Sequence, residues 1–160
     1  MKIYFVPVLV CALAIPVPGL AQQASGDTEL QIQGSLNLGG KEESGSVYLS
    51  YGRFFSDRQE AGLSVTGYTI SGDLAGFGGP FYRYNFSNED VVPYVGAAAG
   101  SSFGDFAGGD LLLTFEGGIR FFLSRNSAFS VAAVTNYSVE ESEVLDGLNL
   151  VFGFSYLWGK

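Results

Sequence analysis

The amino-acid sequence predicts an all-β fold, an eight-stranded antiparallel up-and-down transmembrane β-barrel. In the last segment, residues 145–160, large apolar side chains occupy every second position: Leu148, Leu150, Phe152, Phe154, Tyr156 and Trp158. Side chains alternate across a strand with period two, so these six share one face, and the other face is mostly small or polar. The same alternation recurs upstream, and the N-terminal segment predicts export. Together these observations favour strands that cross a membrane.

The N-terminal segment predicts a secretory signal peptide. A short basic start is followed by an apolar run over residues 3–15 and by small residues around Ala21. This pattern is typical of a cleaved leader, so we predict residues 1–21 as the signal peptide and residues 22–160 as the barrel domain. The run is too short for a membrane-spanning helix. Cys11, the single cysteine, lies inside the run, so the mature chain has no thiol for a disulfide or a metal site.

Composition excludes several classes of protein. The chain has 16 acidic and 8 basic residues, for a net charge of −8, which argues against a nucleic-acid partner. It has no histidine, so it lacks the general base of the Ser–His hydrolases found among outer-membrane barrels. We therefore predict that the protein is not an enzyme and has no catalytic residue, cofactor or resident metal. A chain without a long apolar segment can span a membrane only as a closed barrel.

Seven further strands are predicted upstream of the last one, at residues 29–38, 46–55, 60–70, 77–86, 91–101, 111–123 and 128–139. Alternation is clearest in the first, sixth, seventh and eighth strands. The facing of the second strand stays open, because Arg53 shares a face with Val47 and Leu49.

The links between strands differ in character. Links after even-numbered strands are short, whereas those after odd-numbered strands are glycine-rich or acidic, at residues 39–45, 71–74, 102–110 and 140–147. Outer-membrane barrels have short periplasmic turns and longer outer loops. We therefore expect both termini to lie on the periplasmic side.

Charge placement distinguishes a membrane barrel from a soluble sheet. Glu116 and Arg120 share the polar face of the sixth strand, and Arg83 lies well inside the fourth. In a barrel these charges are buried in the interior and need partners. We predict a structural network of interior charges made by Arg83, Glu116, Arg120 and Glu29. In a soluble β-sandwich, the alternative reading, the same residues are unrelated surface charges.

Aromatic side chains cluster near the strand ends that are predicted to be periplasmic: Tyr82, Tyr84, Phe86, Phe121, Tyr156 and Trp158. Tyrosine and tryptophan favour the membrane–water interface, so this set predicts one aromatic girdle. The alternative is a clustered soluble core.

Acidic residues crowd the last predicted loop, at Glu140, Glu141, Glu143 and Asp146. Hard divalent cations take carboxylate oxygens, so this outer loop is a candidate for bridging cations to lipopolysaccharide phosphates. The alternative is a solvated loop.

Three stretches resemble the bacterial outer-membrane protein β-barrel domain family, which contains small eight-stranded barrels of the porin superfamily. They are GPFYRY at residues 79–84, PYVGAAAG at 93–100 and GGIRFFLS at 117–124. The resemblance implies the fold, an outer-membrane location and inward-facing side chains at Arg83 and Arg120. It implies no single activity, because members serve in adhesion, stress resistance or envelope integrity. Members often end in an aromatic residue that the assembly machinery reads, and here Gly159 follows Trp158.

The sequence therefore predicts a small outer-membrane barrel with a structural or interaction role in the cell envelope, reached through export by the signal peptide. Its expected partners are outer-membrane lipid, lipopolysaccharide and the outer-membrane assembly machinery. Side chains just fill an eight-stranded barrel, so an open pore is not expected. Two alternatives stay open: a narrow channel, and a periplasmic lipocalin-like carrier of an apolar ligand. The Gly-x-Trp signature of the carrier is missing, since Trp158 is the sole tryptophan.

Overall fold

A computed structural model describes residues 23–36, 45–70, 73–104, 111–140, 143–144 and 148–159. The predicted signal peptide lies outside the described residues, as do most of the predicted link at 39–45 and parts of the links at 102–110 and 140–147. In the part of the chain that is described, no helix has the length and apolar character needed to cross a membrane.

The described residues form nine antiparallel strands: β1 (Thr28–Leu36), β2 (Gly45–Phe54), β3 (Gln59–Ile70), β4 (Asp73–Asn85), β5 (Val91–Gly104), β6 (Leu111–Ser124), β7 (Ser127–Ser138), β8 (Glu143–Val144) and β9 (Asn149–Trp158). Each long strand pairs with the next long strand in sequence, and β9 also pairs with β1. The eight long strands therefore form a closed up-and-down barrel, which confirms the predicted fold class. The two-residue β8 pairs with the end of β7, inside the stretch predicted to be a loop.

Two strands are longer than predicted. β4 begins at Asp73, so Asp73 and Leu74 belong to a strand and not to the predicted link, and β5 continues to Gly104. The added parts pair with each other, with Gly76 opposite Phe103. They are rich in Gly and Ser and lack alternating apolar side chains, which is why the sequence did not indicate them. Backbone hydrogen bonds hold them as strand regardless of side chain.

The two faces of the wall differ in the way the alternation predicts. Large apolar side chains point outward, and Leu63 on β3 is 65 % exposed. Glu29, Glu60, Arg83 and Arg120 point inward and are fully buried. The structure resolves the open facing of β2, since Arg53 lies outside with Val47 and Leu49. The barrel is thus apolar outside and charged inside.

The two ends of the barrel also differ. At one end, here called the terminal end, Thr28 pairs with Trp158 and the short links at 55–58, 86–90 and 125–126 lie between strands. The residues before β1 are held against this end, because Gly26 N donates to Phe54 O at 2.7 Å and Phe54 N donates to Asp27 O at 2.8 Å. The opposite end, here called the distal end, carries the other links between long strands, and the link between β3 and β4 there has only two residues.

Candidate functional site: the barrel interior

Inside the terminal end lies an apolar layer that spans the barrel. Its members come from the ends of β2, β5, β6, β7 and β9: Phe54, Val92, Phe122, Ala128 and Leu157. All five are buried, and Phe54, Val92 and Ala128 have no exposed surface. This layer fills the cross-section next to the termini.

Above the apolar layer, Arg83 is the centre of a buried group of charges. Its Nε donates to Glu116 Oε1 at 2.9 Å and its Nη1 donates to Glu60 Oε2 at 2.9 Å. Its Nη2 donates to Gln31 Oε1 at 2.8 Å. Glu29 Oε1 lies 3.6 Å from Nη1. One guanidinium therefore links β1, β3, β4 and β6 across the lumen, and each of its nitrogens donates a charge-assisted hydrogen bond.

Arg120 extends this group to the other side of the barrel. Its Nη2 donates to Glu29 Oε1 at 2.8 Å and lies 3.9 Å from Glu60 Oε2. Ser155 Oγ on β9 donates to the same Glu29 oxygen at 2.8 Å. Glu29, Glu60, Arg83, Glu116 and Arg120 are called the ion cluster below. With three carboxylates and two guanidinium groups, the ion cluster has a formal charge of −1.

Tyr94 on β5 lies between the two arginines. Its ring centroid is 5.1 Å from Arg83 Cζ and 5.6 Å from Arg120 Cζ. Aromatic faces attract cations at these distances, and the attraction is stronger where water is excluded. The ring therefore stabilises both guanidinium groups.

Two glycines make room for the carboxylates. A Cβ atom at Gly52 would overlap the Glu60 carboxylate, and one at Gly96 would lie 2.5 Å from Glu116 Oε1. Any larger residue on the inner face at these positions would displace the acids from Arg83. The two glycines therefore leave the space that the Glu60 and Glu116 side chains occupy.

Beyond the ion cluster, the distal half of the lumen contains a partly open cavity of about 380 Å³. Its lining is mixed, with apolar side chains such as Phe77, Phe81 and Val151 beside polar ones such as Thr114 and Asn136. Thr114 Oγ1 donates to Asn136 Oδ1 at 2.9 Å across β6 and β7. The interior therefore has a filled half and a hollow half.

The barrel resembles several solved structures. It matches the N-terminal β-barrel domain of Pseudomonas aeruginosa OprF with a TM-score of 0.68 and 16 % identity, over 85 % of this chain and 100 % of that one. It matches a designed transmembrane β-barrel with a TM-score of 0.58 and 17 % identity, over 86 % and 99 % of the two chains. The chain has the fold of a transmembrane β-barrel. Neisserial surface protein A also matches, with a TM-score of 0.50 and 18 % identity, over 81 % and 94 %.

These likenesses show the fold of the transmembrane barrel and nothing finer. No family model matches its sequence, and no curated protein matches it.

The structure brings together the four residues singled out in the sequence as interior charges, Arg83, Glu116, Arg120 and Glu29. Sequence reasoning missed Glu60 and Gln31. Glu60 lies on the same face of β3 as Ser64, four residues on, and Gln31 follows Glu29 on the polar face of β1. Extending the alternation to these positions would have found both.

The six girdle aromatics lie on the outer face at the terminal end. Tyr156 and Trp158 stack at 5.8 Å between centroids, and Tyr84 meets Phe86 edge-on at 5.3 Å. Phe121 is exposed on the same surface. Two further aromatics were missed and join this surface: Tyr51 lies 6.2 Å from Trp158, and Phe55 lies 6.1 Å from Tyr82.

The acidic loop falls largely outside the described residues. Glu140 is exposed at the distal end. Glu141, Asp146 and the side chain of Glu143 lie beyond what the structure describes. Within the described part of the chain, no group of three or more acidic residues is arranged to hold a metal ion.

Proposed function

We propose that the protein is a small outer-membrane β-barrel of a bacterial cell envelope, with a structural or interaction role and without catalytic activity. In this proposal residues 1–21 are the export signal, and the mature chain is a member of the outer-membrane protein β-barrel domain family. The likeness to other transmembrane barrels supports this reading.

One observation carries the proposal: the barrel is inverted relative to a soluble one. Its buried charged side chains lie in the lumen, while Leu63, Leu150 and Phe152 are exposed on the outer wall. An apolar outer wall is stable in contact with acyl chains and is unfavourable in water. A lipocalin-like carrier needs the reverse, an apolar lumen and a polar exterior, so this arrangement favours the membrane.

The filled terminal half supports a role other than diffusion. Phe54, Val92 and Leu157 occupy the cross-section, and the ion cluster occupies the layer above them. Eight strands enclose a lumen that side chains can just fill. We therefore expect no stable large conductance when the purified barrel is placed in planar bilayers, and such a conductance would favour the narrow channel.

Outer-membrane lipid and lipopolysaccharide are the proposed partners of the outer wall. The exposed aromatics at the terminal end, including Tyr156 and Trp158, suit an interface of lipid and water. The same two residues, close to the end of the chain, are proposed as the feature that the assembly machinery reads. The absence of histidine from the sequence supports a role without acid–base catalysis.

Fractionation of cells that express the full chain tests the proposal. We expect the protein to sediment with the outer membrane and to migrate faster on unheated than on heated gels, because the closed barrel resists detergent. A soluble periplasmic protein in the same cells is the control for leakage. Release with the soluble periplasm would contradict the membrane assignment and favour the carrier.

A further inference from the structure

The distal cavity has the size and lining of a small-molecule site. Its volume of about 380 Å³ falls in the range of ligand pockets, which runs from roughly 300 to 1,000 Å³. The cavity lies in the lumen, on the distal side of the ion cluster. The lining mixes apolar side chains with many polar ones, so the cavity suits a ligand that has both an apolar and a polar part.

Part of the lining is apolar. It includes Phe77 and Phe81 on β4, Leu112 on β6 and Val151 on β9. Phe77 and Phe81 are each only 5 % exposed, so their faces are held in position by the surrounding wall. These apolar side chains suit the hydrocarbon or aromatic body of a ligand.

Two polar residues near the ion cluster, Gln33 and Glu116, also line the cavity. Gln33 lines the cavity with 3 % of its surface exposed, and its Nε2 has no hydrogen-bond partner among the described residues. That nitrogen has no surface open to the cavity, so Gln33 contributes to the lining and offers no donor to a ligand. Glu116 lines the same cavity, and its side chain is 10 % exposed, whereas that of Arg83 is fully buried.

Glu116 is paired with Arg83, but the formal charge of the ion cluster as a whole is unbalanced. Arg83 Nε occupies one acceptor site on Glu116 Oε1, and a carboxylate has about four such sites. The ion cluster as a whole holds three carboxylates against two guanidinium groups. A positive group placed against Glu116 would balance that charge.

From this arrangement we propose that the distal cavity binds a small cationic amphiphile, an organic amine with an apolar body. The ammonium group pairs with Glu116, and the apolar body packs against Phe77 and Phe81. The site is separate from the outer wall, so the inference does not depend on the cellular role proposed above.

Calorimetry on the full-length mature barrel in lipid nanodiscs tests the inference. The probes are phenylbutylamine and phenylbutanol, which share the apolar body and differ in charge, and empty nanodiscs correct for partitioning into lipid. We expect the amine to bind at least about tenfold more tightly than the alcohol, because a hydrogen bond to a charged group is worth more than a neutral one.

Two variants locate the binding. Ala98→Phe fills the cavity from β5 and leaves every member of the ion cluster in place, so binding of the amine should fall by at least about tenfold. Ala99→Phe adds the same bulk to the adjacent, outward-facing position and should bind as the parent does. Equal loss in both variants, or unchanged binding in Ala98→Phe, would overturn the site. Equal affinity for the two probes, or no binding of either, would overturn the proposed ligand class.

Discussion

The two halves of the lumen are enclosed by the same eight strands and yet are built in opposite ways. In the terminal half, the long side chains of Arg83 and Glu60 meet inside the lumen, and Glu60 lies over Gly52. In the distal half, many of the inward polar residues are short, as at Ser46 and Thr66, and a cavity is left. Strand number therefore sets the diameter of a barrel, but side-chain length decides whether it is solid or hollow.

The halves also differ in how strongly their polar groups depend on one another. The ion cluster joins charges on β1, β3, β4 and β6, so the loss of one member leaves others buried without compensation. The distal half holds pairwise contacts such as Thr114 to Asn136. Substitutions should therefore cost most in the terminal half.

The largest effect is expected for Arg83→Met. This change leaves Glu60 and Glu116 buried without their main partner and should lower the free energy of unfolding by about 3–5 kcal/mol. Urea unfolding in lipid vesicles, followed by heat-dependent gel migration, measures it. Arg53→Met on the outer face is the control, with an expected change within about 0.5 kcal/mol. Equal costs for the two would refute the importance of the ion cluster.

Adjacent residues on β3 distinguish the outside of the wall from the inside. Val65→Arg places a charge on the outer face midway along the wall and should cost about 2–4 kcal/mol in a bilayer. Thr66→Arg points into the cavity that Glu116 also lines, so it should cost clearly less. The same unfolding measurement in vesicles compares them. A larger penalty at Thr66 would mean that the faces are assigned the wrong way round.

The role of glycine in the filled half is tested by Gly96→Ala. The new Cβ atom would lie 2.5 Å from Glu116 Oε1 and 2.8 Å from its Cγ, which forces the carboxylate away from Arg83. Overpacking of this kind costs about 1–3 kcal/mol. Gly117→Ala is the matched control, since a Cβ atom there has no neighbour within 4 Å. A stability loss of the same size in the control would remove the steric argument.

The smallest effect is expected in the hollow half. Thr114→Ala removes the hydrogen bond to Asn136 and should cost about 0.5–1.5 kcal/mol, which chemical denaturation can resolve. Thr135→Ala, whose side chain points outward from β7, should change stability by less than about 0.5 kcal/mol. A loss in the free energy of unfolding for Thr114→Ala as large as that for Arg83→Met would contradict the proposed difference between the two halves.

Much of the fold could be predicted because alternation is a local property. The positions of Leu150, Phe152 and Phe154 determine which face of β9 is apolar, without reference to any other strand. The extensions of β4 and β5 could not be predicted, since Gly76 and its neighbours carry no alternating pattern. Pairing between strands holds those residues in place, and the partner is distant in sequence.

The interior could be predicted only in part. Alternation placed Arg83, Glu116 and Arg120 on inner faces, but it did not select their partners. Glu60 entered the ion cluster because β3 lies beside β4, with Glu60 opposite Arg83. Gln31 entered because the barrel closes and brings β1 across from β4.

The sequence by itself determined that this chain is a β protein with one apolar and one polar face on each strand, since the period of a strand is two. Only the tertiary structure decided which charges meet, because Arg83 and Glu29 are neighbours only after the wall has curved and closed. It also decided that the lumen is filled at one end and hollow at the other, because that depends on how side chains from opposite strands share the same space.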